Sequence, residues 1–358
     1  MSKPVSSDEL AAFDYELPER LIARQPPARR DGARMLLVDR DSGTIASRLI
    51  TDLPELLAVD DCLVLNDTRV LPARLFGRRI ATDGHWEGLF LGSDPAGRWR
   101  LIGKTRGKLQ PGERIALTPA HPESEAFPPC ELSLIEQESS GTWVATPQPP
   151  EAVQTILDRY GTMPLPPYIR RPIATAEDRQ RYQTVYAEHA GAVAAPTAGL
   201  HLSHQLLQEC RDRPLGIEKL TLHVGLDTFR PISVGNLDEH QMHSEWCRLA
   251  SEVADKLNAV RHAGGRIVAV GTTVVRTLES AADGSRLTSF DGSTDLFIRP
   301  GHHFAAVDAL LTNFHLPRST LFVLVCAFCG PDLAREAYHH AIADCYRFYS
   351  YGDAMLIL

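Results

Sequence analysis

The spacing of apolar residues changes abruptly near residue 70 and changes back near residue 147. Between Val70 and Thr146, six short apolar runs alternate with Gly, Pro and Asp turns, which is typical of a small β-barrel or sandwich. On both sides of this stretch, strand patterns alternate with helix patterns, which indicates a mostly parallel sheet or an α/β barrel. We therefore predict a discontinuous α/β domain, residues 1–69 and 150–358, with an inserted small all-β barrel domain at residues 70–149.

The number of cysteines and the hydropathy of the chain indicate the cellular compartment that we expect for it. The seven cysteines are odd in number and scattered, which argues for reduced thiols. No apolar stretch follows residues 1–7, so the sequence predicts no signal peptide. The longest apolar run, Thr320 to Cys329, is too short to span a bilayer. We therefore expect a cytoplasmic protein that contacts no membrane.

Positive charge is concentrated in two stretches of an acidic chain. The net charge is −8, but residues 69–114 carry ten Lys or Arg against four Asp or Glu, a local charge of +6. Residues 24–34 form a second basic loop. Such local charge can bind a phosphate backbone, and the alternative is a solvated β surface. The candidate phosphate-binding residues are Arg24, Arg29, Arg34, Arg69, Arg74, Arg78, Arg79, Arg100 and Lys104.

A strand, a Gly-Thr-Thr turn and a helix are predicted between residues 266 and 280. The apolar run Ile267 to Val270 predicts a buried strand, Gly271 interrupts it, and Thr272 or Thr273 can cap the helix that follows. The free backbone N–H groups and the dipole of a helix N-terminus favour a polar or anionic ligand group. This turn is therefore a candidate ligand site, and the alternative is an ordinary capped helix.

Polar clusters stand at loops and strand ends throughout the C-terminal half. In α/β folds the pocket lies beyond the carboxyl ends of the strands, so we expect these clusters to line one cleft. Arg276 and Glu279 share one face of their helix, where the alternative is a surface ion pair. The clusters are Pro196–His201, Leu222–Arg230, Met242–Glu245, Gly271–Thr273 with Arg276 and Glu279, Thr312–His315, and Arg347–Asp353.

Three histidines, His201, His223 and His243, are the main catalytic candidates, together with Glu245. Their spacing matches no metal signature, so we expect no metal. Imidazole titrates near neutrality and suits a general base, while the alternative is a hydrogen-bonded structural histidine. The sequence has no G-x-S-x-G elbow, no P-loop and no G-x-G-x-x-G after a strand, which argues against covalent hydrolysis, a Walker-type NTPase and a Rossmann cofactor site.

Taken together, these motifs resemble the S-adenosylmethionine:tRNA ribosyltransferase-isomerase family of queuosine biosynthesis, over nearly the whole chain. Two strings depart from the family pattern: Asp227 stands where a small residue, usually Gly, is expected, and Arg299–His303 replaces a more aromatic string. The matching strings are Phe13–Pro18, Leu65–Arg74, Ala195–His201, Leu222–Pro231, Met242–Glu245, Val270–Ser280, Leu311–Thr320 and Arg347–Met355.

The resemblance implies an unusual use of S-adenosylmethionine as a ribose donor. The family transfers its ribosyl part to 7-aminomethyl-7-deazaguanine at the wobble position of tRNA and forms epoxyqueuosine, adenine and methionine. The sulfonium acidifies the C5′ hydrogens, so a protein base can remove one. Neither a metal nor a redox cofactor is implied, since the donor is a consumed substrate. We expect a monomer whose partners are this tRNA and S-adenosylmethionine.

The resemblance also implies roles for the polar clusters. His201, His223 and His243 are candidates for the C5′ base, and Glu245, Glu279 and Asp353 for a carboxylate near the sulfonium. The Gly271–Thr273 turn and Arg276 could bind the methionine carboxylate. The full set of candidate donor-binding residues is Thr197, Gly199, Gly225, Gly271, Thr272, Thr273, Arg276, Glu279, Asn313, His315, Tyr351 and Asp353.

Two alternatives from other classes stay open at the level of sequence. One is a non-catalytic RNA-binding module, and the other is a tRNA methyltransferase that uses the same donor. The products separate them, because a methyltransferase releases S-adenosylhomocysteine and a binding module releases nothing.

Overall fold

The computed structural model describes residues 9–120, 127–225, 232 and 234–358, and within them the chain forms twenty strands and eight α-helices. The strands are β1 (Arg34–Val38), β2 (Ile45–Leu49), β3 (Cys62–Asn66), β4 (Thr68–Val70), β5 (Arg74–Arg79), β6 (His85–Ser93), β7 (Trp99–Thr105), β8 (Arg114–Thr118), β9 (Glu131–Gln137), β10 (Trp143–Gln148), β11 (Gly161–Thr162), β12 (His189–Ala192), β13 (Gly216–Leu222), β14 (Glu245–Leu249), β15 (Ile267–Val270), β16 (Ala282–Asp283), β17 (Arg286–Leu287), β18 (Phe290–Thr294), β19 (Ala309–Asn313) and β20 (Ala354–Ile357). The helices are α1 (Leu53–Leu56), α2 (Val153–Tyr160), α3 (Ala176–Arg181), α4 (His204–Asp212), α5 (Ser251–His262), α6 (Thr272–Ser280), α7 (Thr320–Cys329) and α8 (Pro331–Ala343).

The chain divides into two units by the contacts that its residues make. The α/β unit consists of Met1–Arg69, Gln183–His189 and Ala195–Leu358, and the barrel unit consists of Val70–Tyr182 and Ala190–Ala194. The first boundary is at the predicted position. The return to the α/β unit was predicted at residue 150, but the barrel unit continues further, because α2 packs against β11, which pairs with β5.

The α/β unit is built on one sheet of nine strands in the order β18-β14-β13-β3-β15-β19-β20-β1-β2. Strands β13, β3, β15 and β19 are parallel to one another, whereas β14, β20 and β1 run the opposite way. The predicted α/β fold is confirmed. Of the two predicted forms the structure has the open sheet, and it is mixed: four of its eight neighbouring strand pairs are parallel.

The central strands are apolar along their whole length because both faces of the sheet are covered. Every residue of β3, β15, β19 and β20 is buried. Neighbouring residues of β3 point to opposite faces: Val64 packs in a cluster with Leu257 and Phe322, and Leu63 in a cluster with Leu206. This double burial explains why the sequence of these strands shows continuous apolar runs instead of alternation.

The barrel unit closes six antiparallel strands on themselves. The strand order is β5-β6-β7-β10-β9-β8, and β8 pairs back onto β5. Inward-facing side chains fill the interior, and Leu75, Trp99, Leu101 and Leu132 are fully buried. The predicted inserted β-barrel is therefore confirmed, including all six of its strands.

Local backbone features set the limits of two helices. α3 starts after Thr175, which caps it and accepts a hydrogen bond from the Asp178 N–H at 3.0 Å. α8 ends at Ala343, shortly before Cys345, which has a left-handed φ of 54°. No helix in the described part of the chain is long and apolar enough to cross a membrane.

Candidate functional site

The ends of five strands meet at one edge of the nine-stranded sheet, and three of them carry a polar residue there. β3 ends at Asn66, β15 at Val270 and β19 at Asn313, and the carboxyl ends of these parallel strands share the edge. β14 and β20 run the opposite way, so their first residues, Glu245 and Ala354, lie at the same edge. The structure therefore gathers the predicted polar clusters as strand direction requires.

Two adjoining cavities open at this edge, and we call them together the strand-end site. Each includes about 310–330 Å³ of space that is partly open to solvent, and both are lined by Thr197, Asn313, His315 and Leu321. The helix-end cavity is also lined by Ala195, Pro196, Ala198, Val224, Gly271, Thr272, Thr273 and Thr312. The aromatic cavity is also lined by Phe314, Leu316, Ser319, Tyr349 and Ser350.

The turn before α6 gives the helix-end cavity its polar character. Gly271 has a φ of +96°, a conformation that favours glycine, and α6 begins at the next residue, Thr272. Val274 donates to the Gly271 carbonyl at 3.1 Å, so the N–H groups of Thr272 and Thr273 precede the intrahelical hydrogen bonds. Backbone donors and the positive end of the helix dipole therefore lie at this cavity, as the sequence predicted for an anionic ligand group.

Asn66 ties the ends of two strands to the start of α6. Its Nδ2 donates to the Leu222 carbonyl at 3.0 Å and to Thr273 Oγ1 at 3.2 Å. Its Oδ1 accepts from the N–H groups of Leu222 and Thr68, both at 3.1 Å. All the hydrogen-bonding capacity of this buried amide is used, so it holds the edge of the site rigid.

Asn313 occupies the boundary between the two cavities. Its Nδ2 donates to His201 Nε2 at 3.0 Å and to the Tyr349 carbonyl at 3.3 Å. Its Oδ1 is buried and has no hydrogen-bond partner within the described residues. An unsatisfied buried acceptor costs about 1–3 kcal/mol, so a ligand that brings a donor here would remove that cost.

Burial keeps two histidines of the site neutral. Burial lowers the pKa of His201 to about 4, against the effect of Asp353, which raises it. Burial also lowers the pKa of His315 to about 3, and its Nε2 lies 2.8 Å from Thr312 Oγ1. Because Asn313 donates to His201 Nε2, the single ring proton of His201 is on Nδ1. Both rings therefore act as neutral hydrogen-bonding groups near pH 7.

His223 precedes Val224, which lines the helix-end cavity, but His223 itself lines neither cavity; it is half-buried, and its ring is stacked on Trp246 with centroids 4.9 Å apart. Its Nδ1 lies 2.8 Å from Thr68 Oγ1, and the Thr68 hydroxyl donates to the His189 carbonyl at 3.5 Å. A Thr68 hydroxyl that donates to the His189 carbonyl requires the ring proton on His223 Nδ1, and in that tautomer the lone pair is on Nε2. Burial lowers the pKa of His223, and His189 lowers it further, so the ring is neutral at pH 7.

His243 differs from the other predicted catalytic histidines because its side chain is exposed, in the segment that precedes β14. The predicted motif that starts at Leu222 is described only as far as Gly225. Its remaining residues, including Asp227, lie outside the described residues.

Glu245 and Arg276, the first predicted to be catalytic and the second to bind the donor, form a buried ion pair with each other. The Glu245 carboxylate accepts from the Gly225 N–H at 2.7 Å and from Arg276 Nη1. Arg276 also donates to the carbonyls of Leu296 at 3.1 Å and Thr294 at 3.2 Å. Because the guanidinium is directed at these protein acceptors, we assign both residues to positioning Gly225 and α6.

Glu279 and Asp353 also bind the protein itself. The Glu279 carboxylate accepts from the N–H groups of Ala305 and Ala306 at 2.9 and 3.0 Å, so it fixes the loop before β19, at the opposite edge of the sheet. Arg276 and Glu279 therefore bind different partners, so the alternative of an ion pair between them is not what the structure shows, and a role of Glu279 in donor binding stays a prediction. The Asp353 carboxylate accepts from the N–H groups of Arg34 and Arg347 at 3.0 and 2.8 Å. Tyr351, two residues earlier in the sequence, is buried.

The structure adds residues that the candidate set left out. Asn66 and Thr68 stand in a polar strand end that the sequence displays, but nothing in the sequence shows that they reach Thr273 and His223. Tyr186 is a second addition: its hydroxyl is buried, without a hydrogen-bond partner among the described residues. A Cβ on Gly199 would lie 2.0 Å from that hydroxyl, so the 197–201 turn needs glycine at this position.

The cations predicted to bind phosphate in the barrel unit are mostly paired with carboxylates. Two of the partner acids, Glu131 and Glu138, lie beyond the basic stretch. The whole unit has 14 Lys or Arg against 13 Asp or Glu, a net charge of +1, so the local charge of +6 does not describe the folded unit. Lys104 is exposed and forms no ion pair with the described residues. The pairs are Arg74–Glu87, Arg78–Asp83, Arg79–Glu113, Arg98–Asp94, Arg100–Glu138 and Arg114–Glu131.

The predicted phosphate-binding residues of the α/β unit are generally more exposed to solvent than those of the barrel unit. Arg69 is exposed, and Arg24 and Arg29 have side chains that are 43% and 72% exposed. Arg34 is partly engaged, since it pairs with Asp353 at 3.2 Å and lies over the Tyr346 ring at 4.0 Å.

One group among the described residues has the spacing of metal ligands, and it lies outside the predicted catalytic set. It consists of Asp67, Glu188 and His189. Lys219 Nζ lies 3.2 Å from the Glu188 carboxylate and already supplies positive charge there.

Comparisons with known proteins show that the whole chain is similar to one family. The family model described as queuosine biosynthesis protein matches residues 10–357. Proteins named S-adenosylmethionine:tRNA ribosyltransferase-isomerase from Symbiobacterium thermophilum and Rhizorhabdus wittichii are 47% and 46% identical to this chain, over 98% and 97% of it and 99% and 98% of their own lengths. The crystal structure of an S-adenosylmethionine tRNA ribosyltransferase from Thermotoga maritima is 33% identical, covers 97% of this chain and 100% of its own, and has a TM-score of 0.54.

Proposed function

Because this chain belongs to the S-adenosylmethionine:tRNA ribosyltransferase-isomerase family of queuosine biosynthesis proteins, we propose that it transfers the ribosyl part of S-adenosylmethionine to 7-aminomethyl-7-deazaguanine at the tRNA wobble position. The products are epoxyqueuosine in tRNA, adenine and methionine, and the reaction takes place in the cytoplasm. The main support in the structure is the strand-end site, where five of the motifs shared with the family line two adjoining cavities.

The helix-end cavity suits the methionine end of the donor. The Thr272 and Thr273 N–H groups at the start of α6 fit the methionine carboxylate. The buried Asn313 Oδ1, which lacks a partner within the described residues, fits the donor's ammonium group. The aromatic cavity is lined by Leu316, Leu321 and Tyr349 and is the better match for adenine. Asn313 lines both cavities, so in this arrangement it lies where the methionine end of the donor meets the rest of the molecule.

His223 fits the role of C5′ base better than the other two histidines. Its Nε2 lone pair is available, and its ring is oriented by Thr68. His201 is a poorer base because burial lowers its pKa to about 4 and its Nε2 already accepts from Asn313. His243 is exposed, in the segment that precedes β14. His201 then serves to hold the Asn313 amide in the orientation that exposes Oδ1 to the donor.

The reaction needs a base, a bound donor and an incoming amine, and we assign the first two to these residues. His223 removes the C5′ proton that the sulfonium acidifies. Ring opening and loss of adenine follow, the aminomethyl amine of the deazaguanine attacks, and the epoxide closes as methionine leaves. When the donor is bound at both ends, its C5′ is held in one orientation. This orientation lowers the entropic part of the activation barrier and so raises the rate.

Product analysis tests the proposed function directly. The protein is incubated with S-adenosylmethionine and tRNA that carries 7-aminomethyl-7-deazaguanine, with guanine-containing tRNA as the matched control. We expect adenine and methionine in equal amounts, only with the deazaguanine tRNA. Release of S-adenosylhomocysteine would establish a methyltransferase instead, and binding of tRNA without any product would leave an RNA-binding module.

The donor placement has its own test in Asn313→Leu. Loss of a hydrogen bond to a charged group costs about 1.5–3 kcal/mol, so the KM for the donor should rise roughly 10- to 150-fold while tRNA affinity stays the same. The matched control is Asn258→Leu, which removes an amide that holds the Leu287 loop, away from the strand-end site. A control that changes the donor KM as much as Asn313→Leu would refute the placement.

A further inference from the structure

A second cleft of the α/β unit presents several arginines to solvent. It includes about 900 Å³ of open space and is lined by Arg20, Arg24, Gln25 and Arg347, among others. Two chain segments build it side by side: the Phe348 N–H donates to the Leu21 carbonyl at 2.8 Å, and the Ala23 N–H donates to the Phe348 carbonyl at 3.1 Å. This pairing fixes the spacing of Arg24 and Arg347, which come from opposite ends of the chain.

The arginines of this cleft are less neutralised than those of the barrel unit. Residues 19–34 contain five Arg against one Glu and one Asp, whereas the α/β unit as a whole has 23 Lys or Arg against 32 Asp or Glu. Arg20 is exposed and forms no ion pair with the described residues. Arg24 pairs with Glu19 at 2.6 Å, but both side chains are exposed, and such a pair is worth about 0–1 kcal/mol. A phosphate can therefore replace Glu19 at low cost.

The cleft lies beside the strand-end site. Arg347 is two and three residues before Tyr349 and Ser350, which line the aromatic cavity. It is also close enough to His201 to lower the pKa of that ring, as is Arg30. Arg30 in turn donates to the Leu200 carbonyl at 3.2 Å, so the basic loop contacts the turn that carries Thr197 and His201.

We propose that the cleft formed by Arg20, Arg24 and Arg347 binds the phosphate backbone of the RNA substrate next to the nucleotide that enters the strand-end site. The identity of the RNA as tRNA rests on the proposed function. A polyanion is the occupant that the charges favour, because three arginines and one glutamate line this cleft in an otherwise acidic unit. Backbone contacts of this kind position an RNA without reading its sequence.

The test compares two double variants that each remove two positive charges. Arg20→Gln with Arg24→Gln removes charge from the cleft, and Arg78→Gln with Arg100→Gln removes charge from paired arginines of the barrel unit. The affinity for deazaguanine tRNA is measured by fluorescence anisotropy at several salt concentrations, without donor. Each phosphate contact contributes about 0.7–0.9 to the slope of log affinity against log salt, so the cleft variant should lose about 1.4–1.8 from that slope and the barrel variant almost nothing.

A third variant separates charge from folding: Arg20→Lys with Arg24→Lys keeps the charge and should retain the wild-type slope. The proposal is overturned if the cleft variant keeps the wild-type slope, or if the barrel variant flattens the slope as much as the cleft variant does. Because no donor is present, the outcome is independent of catalysis. Wild-type protein that binds RNA through the cleft but releases no adenine would refute the proposed function and leave the cleft assignment standing.

Discussion

Glu245 and Arg276 form an ion pair between the first residue of β14 and the second turn of α6, with side chains that are only 5% and 4% exposed. The Glu245 carboxylate also accepts from the Gly225 N–H at 2.7 Å, so one buried contact joins the segment after β13, the start of β14 and the helix of the strand-end site. Both residues belong to motifs shared with the family, yet each is satisfied by the other and by backbone groups.

This pair predicts a loss of stability when one partner is removed. Glu245→Gln leaves the Arg276 charge buried without its carboxylate, which should lower the free energy of unfolding by about 3–5 kcal/mol. Urea unfolding followed by circular dichroism measures it. The control is Glu218→Gln, whose partner Lys256 is 61% exposed, and it should cost less than about 1 kcal/mol. An unchanged unfolding curve with a raised donor KM would mean that Glu245 binds the donor after all.

The second prediction concerns the pH dependence of turnover. A base acts in its neutral form, and burial lowers the pKa of His223, so kcat/KM should stay level near pH 7 and fall only below His223's ordinary pKa of about 6.5. His223→Gln should reduce the rate by roughly a hundredfold or more and remove this acid limb. His243→Gln is the control and should leave the limb in place. An acid limb that survives in His223→Gln would assign the base elsewhere.

The third prediction is a pH-dependent stability that comes from His201. Its folded pKa is about 4, below the unfolded value near 6.5, so the unfolded chain binds the extra proton between these two values. The stabilisation is therefore complete above pH 6.5 and is lost as the pH falls towards 4, by on the order of 3 kcal/mol in total. His315 should also lower the free energy of unfolding as the pH falls, because burial lowers its pKa to about 3.

Unfolding free energies at pH 7 and pH 5 check this, with His201→Gln as the variant. The difference between the two pH values should shrink by about 2 kcal/mol in His201→Gln. If the variant and the wild type lost the same stability between pH 7 and pH 5, His201 would not be the buried neutral histidine that the structure describes.

The fourth prediction follows from the contact of Tyr186 with Gly199. A Cβ at residue 199 would lie 2.0 Å from the Tyr186 hydroxyl, so Gly199→Ala should displace the turn that carries Thr197 and His201 and strongly reduce donor binding. Tyr186→Phe removes a hydroxyl that has no hydrogen-bond partner within the described residues, so by itself it should be nearly neutral. The double variant should recover part of the donor affinity, measured by calorimetry. Additive losses in the double variant would mean that the two residues do not interact.

The succession of strands along the chain was predictable because each strand has a local pattern of apolar and turn residues. The apolar run Ile267 to Val270 predicts its strand residue for residue, since both faces of this strand are buried and need continuous apolar side chains. The six barrel strands were predictable from turn residues at regular spacing. The gathering of polar clusters at one edge also followed, because parallel strands bring their carboxyl ends together.

The sequence by itself determined the presence of two units, the gathering of polar strand ends at one edge of the sheet, and the family. Tertiary structure alone decided which polar groups line the cavities and which bind other groups of the protein. Arg276, Glu279 and Glu245 are as polar in sequence as Asn313, but their charges meet buried partners from segments far along the chain. The basic stretch of the barrel loses its charge in the same way, to acids on neighbouring strands. Pairing of this kind depends on distances of about 3 Å between residues distant in sequence, and only the folded chain sets those distances.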